Sequence, residues 1–473
     1  MLWRDHIVLT ALYPLDVIRK RAYQLVSCFF LVFVILGGFA FHAANAQEET
    51  GDKALVLNEG FHFENQLFNH PVLRQSAARA CRAIFVLGQR KAEKRLDVSA
   101  SISGERQIAS NFRTNNNDPL PSSLRGYNHS YDDIYDMELT ARYRLYDWGV
   151  GAARVRSEES RLQAERLNYE ASLVAVVEDI LRIMIQIEAA QDDIVHRTKA
   201  LDELAPHVRA IEAQGEAGSI GLAQVREAKL SVLNAEIALQ RAERRKAEVD
   251  GELQSRFKVT YEDTLPLLHD FLRKRPEDIT VIDSQDWLNV RVIDARIIGE
   301  REDLVAIENE RYPRVDSVLE STIFDVTDFE SEYQLVGRLE FTLPLYDGGS
   351  NEARQQQKSW QVKELISQRD EQLRNHKTNT EQGKIILEKR KAEIITLQEQ
   401  YKDFDERYQS LNALVGNSLV SRQQIIQLLQ ERTEKTIELS QAKWQQEYGL
   451  LRLHALANSL TNLLAITPGE NQC

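Results

Sequence analysis

The sequence predicts a mixed α/β membrane protein with four amphipathic β-strands per chain, continued by very long helices, the whole plan being written twice. Three observations carry this reading. Alternating segments have one apolar and one charged face, helical patterns run to several times the ordinary length, and a repeat recurs at an offset of 200 residues.

Residues 1–46 read as a signal peptide, with a basic patch at Arg19, Lys20 and Arg21, an apolar run from Leu25 to Ala40, and small residues at Ala44-Asn45-Ala46. The apolar run is shorter than the roughly 20 residues a spanning helix needs. No later window is apolar and long enough to be a transmembrane helix, so membrane residence requires a β-barrel. The chain carries 59 Lys and Arg against 72 Asp and Glu, a net charge of −13, which disfavours a nucleic-acid partner. Cys28 leaves with the signal. Cys81 and Cys473 could form one bridge but no disulfide framework, and Cys81, on an apolar helical face, reads as a small core residue.

The repeat sets Leu145-Tyr146-Asp147-Trp148-Gly149 against Leu345-Tyr346-Asp347-Gly348-Gly349, followed without a gap by Ala153-Arg154 and Ala353-Arg354. Before each copy lies a strand. Met137, Leu139, Ala141, Tyr143 and Leu145 alternate with Glu138, Thr140, Arg142 and Arg144. Tyr333, Leu335, Gly337, Leu339, Phe341 and Leu343 alternate with Gln334, Arg338, Glu340 and Thr342, interrupted by Val336. Upstream partners at 96–103 and 315–322 make two hairpins, 96–145 and 313–345, with loops at 107–131 and 324–331.

After each copy the pattern turns helical. The first helical hairpin spans 150–256 and turns at Gly215, Gly218 and Gly221; the second spans 350–460 and turns at Gly416-Asn417-Ser418. About 65 residues of helix reach roughly 95 Å, and Pro206 should kink the first. Ile385, Ile386, Ile394, Ile395 and Leu397 form a narrow apolar stripe that asks for helix partners. Lead helices at 68–93 and 286–310 complete a first repeat at 47–258 and a second at 286–460. Residues 259–285 link the copies and 461–473 form a tail.

Four strands fall below the roughly eight with which membrane barrels start, and an open sheet in lipid leaves its edges unpaired. Several copies must therefore close one barrel, and the residues themselves leave two, three or four copies open. In such a barrel Glu138, Arg142, Arg144, Arg338 and Glu340 line the wet lumen and the apolar faces meet outer-membrane lipid.

The duplicated junctions, Leu145-Tyr146-Asp147-Trp148-Gly149 and Leu343-Pro344-Leu345-Tyr346-Asp347-Gly348-Gly349, resemble the strand-to-helix junctions of the TolC family of outer-membrane efflux and secretion channels. Asn69-His70-Pro71-Val72-Leu73 is similar to that family's first-helix signature. The resemblance implies a homotrimer in the bacterial outer membrane: a twelve-stranded barrel continued by a twelve-helix periplasmic barrel. It also implies a periplasmic adaptor and an inner-membrane pump, either ABC-type or proton-driven.

In this family the inner turns form the entrance and adaptor-docking region, which here comprises Gly215, Glu216, Gly218, Ser219, Gln224, Gly416, Asn417, Ser418, Ser421, Arg422 and Gln424. Relatives place acidic residues after the second turn and an aspartate where Gln224 stands. Their replacement suggests a lock between Arg422 and an acidic neighbour such as Glu216. Trp148 reads either as an interfacial anchor or as packing at a crowded corner.

Enzyme chemistry is not legible. His129, His196, His207 and His376 stand singly, HExxH and GxSxG are absent, and no glycine-rich phosphate loop occurs. The chain therefore reads as a passive conduit with no cofactor or metal. Type I protein secretion is favoured over small-molecule efflux because of the altered entrance. A periplasmic adaptor or a structural coiled-coil envelope protein are the rivals.

Overall fold

The computed structural model describes residues 67–105, 134–276, 284–324, 333–414, 421–464 and 466. The expected signal, most of both hairpin loops and of the tail, and Gly416, Asn417 and Ser418 lie outside them. The element order is α1 (Pro71–Ala92), β1 (Asp97–Glu105), β2 (Ile134–Tyr146), α2 (Val150–Glu216), α3 (Leu222–Phe257), α4 (Tyr261–Lys274), α5 (Leu288–Asn309), β3 (Arg314–Ile323), β4 (Tyr333–Thr342), α6 (Ser350–Leu414), α7 (Arg422–Leu456) and α8 (Leu460–Leu463).

The two expected hairpins join. β2 pairs with β3, giving one antiparallel sheet of order β1-β2-β3-β4 whose edges are β1 and β4. α2 has 67 residues and α6 has 65, about 100 Å each. α2 runs through Pro206 without a break in the helix, so the expected kink leaves no interruption there.

Helix packing repeats the logic of the sheet. Next to the strands the helices form a row α1-α2-α5-α6; farther away the row is α3-α2-α7-α6. Each row is open at both ends. Exposed apolar residues mark the open sides: Leu222, Leu230, Leu233 and Ile237 on α3, and Ile385, Ile386 and Ile395 on α6. Of the α6 stripe, Ile394 is the residue that is buried within the chain, packed with Leu439 and Ala442.

The main core sits midway along the helices. Leu173, Val177, Ile180, Leu181, Ile183, Met184 and Ile187 are buried on all sides of α2, because α4 lays Leu267, Leu268 and Phe271 against that stretch. Residues 259–285, which link the two copies, thus hold an amphipathic helix. Its start is fixed by a capping box, in which the Asp263 amide donates to Thr260 Oγ1 and the Thr260 amide donates to Asp263 Oδ2. Each buried Leu or Phe contributes about 1.5–3 kcal/mol, and Phe271→Ala would cost about 3–5 kcal/mol. Cys81, half-buried on α1, is disulfide-bonded, which corrects its reading as a plain core residue.

Candidate channel surfaces

The sheet is inside-out. Cross-strand neighbours share a face, and the register gathers Val98, Leu139, Ala141, Leu319, Leu335, Leu339 and Phe341 on one side. Leu339 is 71% exposed and Phe341 67%, whereas Asp316 on the other face is 3% exposed. A soluble sheet does the reverse.

The charged face carries all five residues expected there. Arg142 lies between Asp97 and Val318, Val318 pairs with Arg338, and Arg144 lies opposite Asp316, which pairs with Glu340. Asp316 tolerates burial because Arg144 Nε (3.3 Å) and Arg314 Nε (3.1 Å) flank it. Arg338 bridges Glu320 and Glu340. Glu138 accepts a hydrogen bond from Thr140 (2.8 Å).

Both strand-to-helix junctions are built alike. The Gly149 amide donates to Asp147 Oδ1 (3.1 Å) and the Gly151 amide to Oδ2 (2.7 Å); in the second copy the Gly349 amide donates to Asp347 Oδ1 (3.0 Å) and the Asn351 amide to Oδ2 (2.7 Å). The carboxylate thus satisfies amides that a helix start leaves without partners. The Asn351 amide, and after it that of Gly349, holds the Asp347 carboxyl below its ordinary value.

Gly149, Gly348 and Gly349 all have positive φ, which glycine accepts freely. Trp148 sits at φ 54° without that freedom. Its ring packs against Tyr146 and Tyr312, and its carbonyl accepts from Asn309 Nδ2 (3.1 Å).

Arg154 and Arg354, the repeated arginines, converge on the two oxygens of one carboxylate, Glu310. The repeat marks the arginines, but nothing in it marks Glu310. Between the junctions opens a cleft of about 1040 Å³, lined in part by Arg144, Arg154, Glu310, Arg314, Tyr346 and Arg354.

At the inner end α2 closes with Gly218 at φ 69°, the Ser219 amide bonding the Gln214 carbonyl (2.9 Å) and the Gly218 amide bonding Gly215 (3.1 Å). Gly215 cannot carry a side chain cheaply, since a Cβ there would stand 2.5 Å from Val225. Glu216 and Gln224 are exposed. Ser421 and Gln424 cap α7: Ser421 Oγ accepts from the Gln423 amide (3.3 Å), and Gln424 Oε1 from the Ser421 amide (3.4 Å).

Within the chain, among the described residues, Arg422 and Glu216 form no ion pair. Arg422 lies near His207 of α2, where burial first and then the Arg422 charge hold the imidazole below its ordinary pKa. The strong link here is Arg432. It pairs with Glu203 of α2 and Asp405 of α6 (3.2 Å), and its guanidinium lies 4.2 Å from the Tyr408 ring centroid. Sequence reading missed it because an arginine among many on an amphipathic helix carries no local mark.

Among the described residues no cluster of His, Cys, Asp and Glu could hold a metal ion, and no helix is long and apolar enough to cross a membrane. An apolar-out sheet continued by helices of this length defines an outer-membrane channel protein, a transport component and not an enzyme. Residues 64–254 match the family model described as outer membrane efflux protein, in line with the resemblance to TolC channels. Its place is the outer membrane, with a helical extension into the periplasm.

Solved structures share the fold. The Campylobacter jejuni CmeC outer membrane channel matches with a TM-score of 0.67 at 14% identity, covering 83% of this chain and 84% of its own. The Vibrio cholerae outer membrane protein VceC gives 0.68 at 14% identity, covering 84% and 95%. The open state of the Neisseria gonorrhoeae MtrE channel gives 0.68 at 12% identity, covering 84% and 88%. Sequence comparison with curated proteins yields no match.

Proposed function

We propose that three copies close into a twelve-stranded barrel and a twelve-helix tube that passively conducts cargo from a periplasmic adaptor and an inner-membrane transporter to the exterior. The carrying observation is the inside-out sheet with free β1 and β4 edges, above helix rows that are also open at both ends. In lipid those strand edges need partners. On this reading Glu138, Arg142, Arg144, Arg338 and Glu340 face the lumen. The turns at 215–221 and 416–424 form the periplasmic entrance, where the adaptor docks. Arg432 replaces Arg422 as the residue that holds α2, α6 and α7 together near that entrance.

Two cargo classes fit. An entrance with Gln224, Arg422 and Gln424 in place of acidic residues supports type I protein secretion through an ABC-type transporter. The family description supports efflux of small molecules by an ABC-type or proton-driven pump. Purified protein in planar bilayers should give discrete conductance steps; a preparation that inserts but never conducts overturns the channel. A deletion strain then separates the cargoes: a lost secreted protein indicates secretion, and new sensitivity to toxic compounds indicates efflux.

A further inference from the structure

Two large aromatic side chains on the helices near the sheet are left exposed. Phe85 of α1 is 69% exposed and Trp360 of α6 is 67% exposed. α1 and α6 are the two end members of the row α1-α2-α5-α6. The face of α1 turned to α2 carries Leu73, Ser76 and Ala80, and Phe85 lies with Arg82 on the opposite face. Trp360 likewise lies opposite the α6 face that includes Lys358, Val362 and Arg369, two of which pair with carboxylates of α5.

The two residues stand within about one helical turn of each other in height. Phe85 lies about 10 Å below the sheet end of α1, and Trp360 about 15 Å below the sheet end of α6, at 1.5 Å per residue. Rotation about an axis parallel to the helices preserves height, so edge residues at one level meet across a subunit boundary. Helical side chains lean toward their own N-terminus. α6 starts at the sheet and α1 ends there, so Trp360 and Phe85 lean toward one another.

The internal repeat supplies an independent template. α1 and α5 both have 22 residues, so aligned end to end Arg82 corresponds to Gly299 and Phe85 to Glu302. The offset of 200 makes Ser160 of α2 the counterpart of Trp360, and Arg156 that of Gln356. Within the chain the α2–α5 seam is visible: a Cβ on Gly299 would lie 3.6 Å from Ser160 Cβ, and Arg156 pairs with Glu302 at 2.8 Å. Carried to the α6–α1 seam between copies, Trp360 falls on Arg82 and Phe85 one turn nearer the sheet. A small pair that lets helices approach closely becomes an aromatic and a guanidinium that fill a wider gap.

We infer that Trp360 of one copy packs against Arg82 and Phe85 of the next and closes the upper helical seam of the tube. This rests on the oligomeric reading above. The ring would bury apolar area, stack on an aromatic and accept a cation on its face. Lys363 already sits 4.0 Å from its centroid, so the site suits a cation.

The test places the photo-crosslinker p-benzoylphenylalanine at position 85 of the full chain in outer membranes, with the oligomer mass of the same protein measured in detergent. The expected product is a dimer band joining residue 85 to the peptide containing Trp360. Trp360→Ala should weaken subunit association by about tenfold, the equivalent of one aromatic contact. Crosslinks within one chain or to another level of α6, from an intact oligomer, overturn the seam and leave the channel reading standing. A detergent-solubilised monomer without crosslinks overturns both.

Discussion

The two ends of the long helices treat the internal repeat differently. At the sheet end both copies keep one device, an aspartate bonded to two amides, with matching distances at Asp147 and Asp347. At the inner end the copies have parted: α3 starts after Gly221 with no side-chain cap, while α7 starts at its counterpart Ser421 with a Ser421–Gln424 capping box. The sheet-to-helix bend is one geometric problem posed twice, so one solution serves. At the inner end a single arginine, Arg432, ties three helices together.

The largest expected effect separates the ends. Arg432→Ala leaves Glu203 and Asp405 without their cation and should cost about 2–3 kcal/mol, less than a fully buried pair because the carboxylates are partly exposed. Hydrogen exchange should speed up in the inner parts of α2, α6 and α7 and stay unchanged at the junctions; equal acceleration at both ends breaks the distinction.

Next comes the one departure between the junctions. Trp148→Ala and Trp148→Gly both lose the contacts with Tyr146 and Tyr312, but alanine retains the left-handed strain. The glycine variant should be the more stable by about 1 kcal/mol in detergent melts. Equal melts would show that the backbone relaxes there.

Asp147→Ala should cost about 1 kcal/mol, as for a lost helix cap. Asp347→Ala should act in the same direction. Because the folded state holds the Asp347 carboxyl below its ordinary 3.8, its contribution is present above that pH and is lost as pH falls through the lowered value. Asp347→Asn should flatten the acid limb of a melting-temperature profile.

The smallest effect is at His207. Folding disfavours its protonation, so stability at the inner end is full above pH 6.5 and declines as pH falls below it. His207→Gln should remove the part of the inner-end exchange increase that appears below pH 6.5; an unchanged increase assigns it to other groups.

Much of this architecture is legible in the sequence because its signals are periodic. Alternation places Arg142 and Arg338 on one face, and the offset of 200 finds both junctions without coordinates. Position along a strand fixes its face whatever the partner. What escapes is set by partners far apart in the chain. Glu310 joins Arg154 to Arg354, Arg432 reaches Glu203, and β2 pairs with β3 across nearly two hundred residues. Helix α4 is hidden for another reason: Pro266 lies inside it and Pro276 just beyond it, where prolines argue against a helix in the sequence. A turn motif gives neighbours in sequence and not the direction of a side chain, so the partner of Arg422 is not legible in it.

The central claim is that each chain is one third of a closed tube. Native mass spectrometry of the protein extracted from outer membranes in mild detergent tests it most directly. Particles of three copies are the expected result; a stable single copy that keeps its apolar sheet face covered by detergent alone would contradict the account.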